Sequence, residues 1–367
     1  MERSFDTLRD RFEGCLLAGA AGDALGYAIE FWSEGEIFHR FGEDGIQTLA
    51  QAAEVVHENV AHFSDDTQMT LFTANGLTYG MERTGAAPEA RDIWLAYQEW
   101  LGTQGDESRM ADPARPKMWL YGERALHALR APGGTCLTAL RTRSKGGTPE
   151  RHINHSKGCG GVMRVAPIGL LASIRDDVDA LRLGAEAAAL THGHPLGWLP
   201  AGFLSSLVER LVLCDVAKPS KSNEPVVRAA IEDTYAEFED RFSDVPEADA
   251  LCVLVKDAVR LAQEEHENPQ GDLGRIHQLG EGWVGDEALA IALYTVLAHP
   301  DDIAAALRAA VNHKGDSDST GAVAGNILGA LVGRAALEET FDLAALEEPE
   351  LIVKVADGLL GYTSKEE

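Results

Sequence analysis

Apolar residues recur along this chain at helical spacing, and no stretch alternates apolar and polar residues over the length of a strand. Residues 5–30 begin polar and turn apolar through Leu16, Leu17, Ala20, Ala21 and Leu25, which predicts a first helix. Residues 33–61 are mixed and read as loop. A second apolar helix opens near residue 64. Aromatic-rich helix is expected within 90–130, where core packing accounts for most of Trp94, Tyr97, Trp100, Trp119 and Tyr121. An Ala-rich helix runs from Leu181 to Leu190, and two more flank His299-Pro300 within 286–311. The last runs from about Thr320 to Leu337. Polar stretches at 217–226 and 264–272 link helices. No internal repeat is present, and the reading is all-α, one domain over residues 1–367.

Glycine sharpens this picture. Gly14, Gly19, Gly22 and Gly26 recur at near-helical spacing in the first helix, and Gly321, Gly325, Gly329 and Gly333 recur every four residues in the last. Each glycine weakens a helix by about 1 kcal/mol relative to alanine. Two such stripes therefore predict close helix contact, the one against the other. Asp23 lies inside the first stripe, and Glu30 follows it between large apolar residues.

The chain has 367 residues, 45% of them hydrophobic, enough for a substantial core. Lys plus Arg is 32 and Asp plus Glu is 59, so the net charge is 32 − 59 = −27. Such a surface repels nucleic-acid phosphate and anionic membranes, and suits a monomer. Five scattered cysteines without a CxxC pair read as reduced thiols in a cytoplasmic protein. The apolar run from Cys15 to Ala21 is stopped by Asp23 and is too short to span a bilayer, so neither signal peptide nor membrane helix is expected there.

The chemistry concentrates in two places. Asn312-His313-Lys314-Gly315-Asp316-Ser317-Asp318-Ser319-Thr320-Gly321 packs carboxylates and hydroxyls at the start of the last helix. Its DxDxT spelling lacks the hydrophobic strand that an aspartyl-phosphate nucleophile needs. As a calcium loop it has Thr320 and Ile327 where an EF-hand requires Asp or Asn and Glu. His62-Phe63-Ser64-Asp65-Asp66-Thr67 repeats the pattern at another helix start. Capping needs one such side chain, not several. Crowded carboxylates repel unless something positive joins them. Two oxygen-rich helix starts fit one or two hard divalent cations, Mg²⁺ or Mn²⁺; the competing reading is a pair of solvated caps. Between them, residues 131–161 are glycine-rich and basic, with Arg141, Arg143, Lys145, Gly146 and Gly147, and resemble a phosphate cradle or a surface loop. Thr191-His192-Gly193-His194-Pro195 has two histidines but no third nitrogen or sulfur ligand nearby, which argues against zinc and for a substrate-lining or structural role.

Gly-Asp-Ala-Leu-Gly at 22–26 with Glu30, Ser-Asp-Asp-Thr at 64–67, Gly-Cys-Gly-Gly-Val-Met-Arg-Val-Ala-Pro at 158–167, Leu-Thr-His at 190–192 and Gly-Asp-Ser-Asp-Ser at 315–319 resemble the ADP-ribosylglycohydrolase family, in that family's order, across residues 11–335. The resemblance implies a compact all-α multi-helix fold with two divalent cations, Mg²⁺ or Mn²⁺. It implies hydrolysis that releases ADP-ribose from a modified protein side chain or a small conjugate. Carried over by position, Ser64, Asp65, Asp66, Asp316, Asp318 and Ser319 are metal ligands; the family often has Thr at the two serine positions. Glu30 matches the family's acidic residue near the end of the first helix, the catalytic candidate, as a general acid/base or a group that positions the substrate. Ser156, Gly158, Cys159, Gly160, Gly161 and Met163 belong to the loop, 156–164, that holds the diphosphate, and His192 lines the adenosine side. The Thr-His-Gly-His-Pro-Leu-Gly run is similar to the arginine-directed branch. Serine-linked or ester substrates are the alternatives, as is a catalytically silent ADP-ribose-binding protein on the same fold. With about ten residues before the first helix, no long N-terminal arm is expected.

Overall fold

Each long apolar segment is helical in the computed structural model, which describes residues 4–142, 145–215, 221–264 and 270–361. Arg143 and parts of both linkers, 217–220 and 265–269, lie outside the described residues. Helix α1 (Phe5–Tyr27) is capped by Ser4, whose side chain accepts from Thr7 N. The stretch read as loop holds two helices, α2 (Glu34–Phe41) and α3 (Leu49–Val56). They are eight residues each, too short for periodicity to register, yet both carry capping boxes: Ser33 with Glu36 and Thr48 with Gln51.

Helix α4 (Asp65–Thr84) starts at the Ser-Asp-Asp-Thr cluster and stops at left-handed Gly85. Helix α5 (Ala90–Leu101) accounts for only part of the aromatic segment; short turns follow it. Trp94, Tyr97 and Trp100 are buried, whereas Trp119 is 43% exposed, with Lys354 Nζ 4.1 Å from its ring centroid. The chain continues through α6 (Gly134–Thr142), α7 (Ala166–Ala172), α8 (Ala180–Ala189) and α9 (Pro195–Leu213). Next come α10 (Glu224–Phe242), α11 (Ala248–Ala262) and α12 (Gln270–Leu279). Then α13 (Gly285–Ala298) and α14 (Ile303–Val311) flank His299-Pro300 as expected, and α15 (Ser317–Glu338) and α16 (Pro349–Leu360) close the fold. Among the described residues no strand forms; three isolated bridges are the only β pairing. Helices α9 and α15 are long and apolar enough to cross a bilayer by length and composition, but most of each is buried in the fold. One hydrophobic cluster runs from Phe12 to Leu360.

The axis of the fold is the antiparallel pair α1 and α15. A Cβ at Gly14 would stand 2.3 Å from the Gly333 carbonyl carbon, one at Gly22 2.1 Å from Gly321 O, and one at Gly26 2.2 Å from Ser317 O. From the other side, a Cβ at Gly325 would stand 2.1 Å from Ala18 O. The two predicted stripes thus face each other, backbone on backbone. At the far end α15 breaks at Gly333 (φ 84), where Asp10 Oδ1 accepts from Ala335 N. At the near end the C-terminus of α1 meets the N-terminus of α15, and that meeting places the site.

Candidate active site

Three helix ends converge there. Glu30 lies just past α1, Ser64-Asp65-Asp66 begins α4, and Asp316-Ser317-Asp318-Ser319 begins α15. Asp23, one turn before the end of α1, ties the first two together. Its carboxylate accepts from Ser64 N at 2.8 Å, Thr67 N at 2.9 Å and Thr67 Oγ1 at 2.6 Å. Ser319 Oγ donates to Asp66 Oδ2 at 2.7 Å, joining α15 to α4. Ser317 Oγ donates to Gly26 O at 2.9 Å, joining α15 to α1. Ligand oxygens of Glu30, Asp316 and Asp318 lie within 4.8 Å of one another, and all three residues are buried.

The structure thus brings together all seven residues assigned to the metal and catalytic groups. Ser64 is the buried N-cap of α4, its Oγ accepting from Asp66 N at 3.1 Å. Asp65 Oδ2 accepts from Gly133 N at 3.1 Å. Charge crowding is severe. Burial pushes the Glu30 carboxyl up to about 9, with Asp318, Asp65 and Asp23 adding to the effect. Burial, then Asp318, pushes Asp23 up to about 7. Asp65, Asp66 and Asp316 are also driven well above the carboxylate range, by burial first and then by neighbouring carboxylates. Glu30 Oε2 is buried and has no hydrogen-bond partner. A buried orphan oxygen beside two further carboxylates is what a hard cation satisfies, so the residues present fit a divalent metal.

The glycine loop borders this cluster. Its backbone is held to the start of α13 by Cys159 N donating to Trp283 O at 3.3 Å and Gly285 N donating to Lys157 O at 2.9 Å. Cys159 Sγ donates to Asp316 Oδ2 at 2.7 Å, and Gly158 N donates to Ser156 Oγ at 3.4 Å. Gly161 is pressed on α9, where a Cβ would stand 2.3 Å from Gly197 O, and Gly160 faces His192. Met163 is buried below the loop, its sulfur 3.9 Å from Ser319 Oγ. His192 is 1% exposed. His194 caps α9, its Nδ1 accepting from Leu196 N at 3.1 Å, so its role is structural.

The basic segment divides in the structure. Helix α6 carries the chain away from the site. Arg141 pairs with Asp106, and Lys145, Gly146 and Gly147 line another cleft, with Arg115, Arg151 and Arg182. Arg164, at the end of the 156–164 loop, is fully buried and turned into the core rather than toward the cleft. Sequence reading singled out neither Asp23 as an organiser nor the Cys159–Asp316 contact. Asp23 had a legible signal, a carboxylate within a stripe of small residues; the cysteine contact spans 157 positions and had none.

The family model for ADP-ribosylglycohydrolase matches residues 4–367. A curated relative, the ADP-ribosyl-[dinitrogen reductase] glycohydrolase of Rhodospirillum rubrum, is 26% identical over 207 residues, which is 56% of this chain and 59% of the relative's length. A solved structure described as an ADP-ribosylglycohydrolase-related protein complex superposes with a TM-score of 0.62 at 22% identity, covering 98% of this chain and 99% of that one; this likeness speaks to the fold. With its helix order, its converging acidic ends and a family match across the described fold, the chain belongs to the ADP-ribosylglycohydrolase family.

Proposed function

We propose that this protein is a metal-dependent glycosidic-bond hydrolase that removes ADP-ribose from modified protein side chains, arginine-linked ADP-ribose first among them, with two divalent cations, Mg²⁺ or Mn²⁺, as cofactors. One observation carries the reading: buried Glu30, Asp316 and Asp318 with ligand oxygens within 4.8 Å, beside Asp65, Asp66 and the glycine loop. The protein-linked substrate draws support from the name of the curated relative, and the arginine linkage from the Thr191-His192-Gly193-His194-Pro195 run.

Asp65, Asp66, Asp316 and Asp318, with Ser64 and Ser319, would hold the cations. When bound, these supply Lewis acidity and offset the charge of a diphosphate entering a protein of net charge −27. The chain's own groups do the rest. Asp23 fixes the start of α4, and with it the ligand aspartates, through three accepted hydrogen bonds. Glycines at 158 and 160 would let diphosphate oxygens approach the loop backbone closely. The anomeric carbon passes through an oxocarbenium-like state, which the surrounding carboxylates stabilise. Glu30, buried beside these carboxylates, would act as general acid/base or position the substrate.

The test is release of free ADP-ribose from an arginine-ADP-ribosylated protein with Mg²⁺, with Mn²⁺ and with EDTA, beside Asp316→Ala. Release that needs metal and is lost in the variant supports the reading. Release only from serine-linked or ester substrates refutes the arginine assignment. No release from any of them refutes the hydrolase.

A further inference from the structure

Arg164 is a buried cation with no carboxylate among its hydrogen-bond partners. Its NH1 donates to Met69 Sδ at 3.4 Å and Cys136 Sγ at 3.3 Å, and its NH2 donates to Ala187 O at 3.2 Å and Thr191 Oγ1 at 2.7 Å. Its guanidinium carbon lies 4.3 Å from the centroid of the Tyr97 ring, and its Nε has no partner. Guanidinium stays protonated in proteins and only donates, so Thr191 Oγ1 must accept from it. The single hydroxyl hydrogen of Thr191 is then free to go elsewhere. His192 Nδ1 stands 2.9 Å away; the other acceptors in reach are weaker, Ala188 O at 3.5 Å and the Cys136 sulfur. Nδ1 is the nearest acceptor for that hydrogen, and a hydroxyl that donates to it leaves Nδ1 bare and the ring hydrogen on Nε2.

That Nε2 is directed at the glycine loop. A Cβ at Gly158 would stand 3.5 Å from it, and one at Gly160 would stand 3.4 Å from it and 3.2 Å from Cε1. A side chain at either position would cover the nitrogen; glycine leaves it open. No hydrogen-bond acceptor for Nε2 is found among the described residues, although His192 is 99% buried as the complement of its 1% exposure. We propose that Arg164 and Thr191 are positioning residues, which together fix His192 as the Nε2–H tautomer and aim that hydrogen across the Gly158–Gly160 turn at an acceptor oxygen of the bound diphosphate. The inference rests on the reading of this loop as the diphosphate cradle. The polarity of the relay itself does not, since it follows from the free protein. Burial, with Arg164 adding, keeps His192 neutral, as the relay requires.

The experiment is long-range ¹H–¹⁵N correlation spectroscopy on the ¹⁵N-histidine-labelled full chain, with His192 assigned by the loss of its signals in His192→Gln. The expected result is an Nε2–H tautomer that does not change between pH 8 and pH 5.5. Thr191→Val should lose the fixed tautomer and bind free ADP-ribose about tenfold more weakly by calorimetry, the size of one hydrogen bond. Thr191→Ser, which keeps the hydroxyl, should restore both. An Nδ1–H tautomer or an imidazolium in the parent protein overturns the proposal, as does a Thr191→Val protein with unchanged tautomer or unchanged ADP-ribose affinity. Should the parent bind no ADP-ribose at all, the assignment of substrate fails and the aimed donor fails with it, while the tautomer measurement still decides the polarity of the relay.

Discussion

Gly325→Ala is the sharpest test of the seam on which the fold is built. On an exposed helix this change stabilises by about 1 kcal/mol, because alanine restricts the unfolded chain and favours the helix. At Gly325 the new methyl would lie 2.1 Å from Ala18 O, 2.5 Å from Ala18 C and 2.8 Å from Gly19 N. All three are backbone atoms of α1, so no rotamer change relieves the clash. The helices must part by roughly 1 Å to restore ordinary contact. Neighbouring glycines at 321 and 329 are in similar contact with Gly22 O and Gly14 O, so parting at one place strips contacts along the seam. Overpacking of a core costs about 1–3 kcal/mol. A rigid backbone wall puts this case at the upper end, and the propensity gain of about 1 kcal/mol leaves a net loss of about 2 kcal/mol.

The control is Gly358→Ala in α16, where a Cβ would meet nothing within 4 Å. It should stabilise by about 0.5–1 kcal/mol. Urea denaturation of both variants gives the answer, read as midpoint shifts at unchanged slope. The signs should be opposite. A Gly325→Ala protein as stable as its parent would refute the close-contact account of the glycine stripes, whatever the control does.

Three further outcomes follow from the same geometry. Gly26→Ala, whose methyl would lie 2.2 Å from Ser317 O and 2.4 Å from Asp318 N, should weaken Mn²⁺ binding at least tenfold by titration; an unchanged affinity would separate the seam from the site. Asp23→Ala orphans Ser64 N, Thr67 N and Thr67 Oγ1 and should destabilise by about 2–4 kcal/mol in urea, with a loss under 1 kcal/mol counting against its organising role. His192, pushed down to about 3 by burial and then by Arg164, is neutral when folded and takes up a proton near pH 6.5 when unfolded. Its contribution is therefore fully present above pH 6.5 and is lost as pH falls toward 3. Near pH 5 the loss is about 2 kcal/mol, and His192→Gln should remove that part of the pH dependence of the urea midpoint.

What could be read from the sequence divides along physical lines. Long helices were legible because burying one face imposes a period that runs through many residues. The glycine stripes were legible for a related reason, since close contact makes glycines at helical spacing worth their cost, backbone on backbone for most, with Gly19 against the Asn326 side chain and Gly333 at the break in α15. Helices α2 and α3 fell below that threshold in length, although Ser33 with Glu36 and Thr48 with Gln51 advertised their starts. The errors came from treating neighbours in sequence as neighbours in space. Arg141, Lys145, Gly146 and Gly147 looked continuous with the 156–161 loop, but α6 carries them to another face. Arg164 ends the 156–164 loop in sequence, and only the packing of Tyr97, Cys136 and Thr191 around it shows that its charge acts inside the core.

The metal cluster lies between these cases. Each acidic helix start, taken alone, was equally a cap or a ligand set, and only their excess of oxygens over what capping needs suggested a common partner. What joins them is the seam. The stripes dictate an antiparallel approach, and in that arrangement the residue after α1 must face the first turn of α15. Asp23, four residues before the end of α1, then reaches the first turn of α4. Glu30, Asp66 and Asp318 come from three separate parts of the chain, and their convergence is a consequence of where glycine allows two backbones to touch.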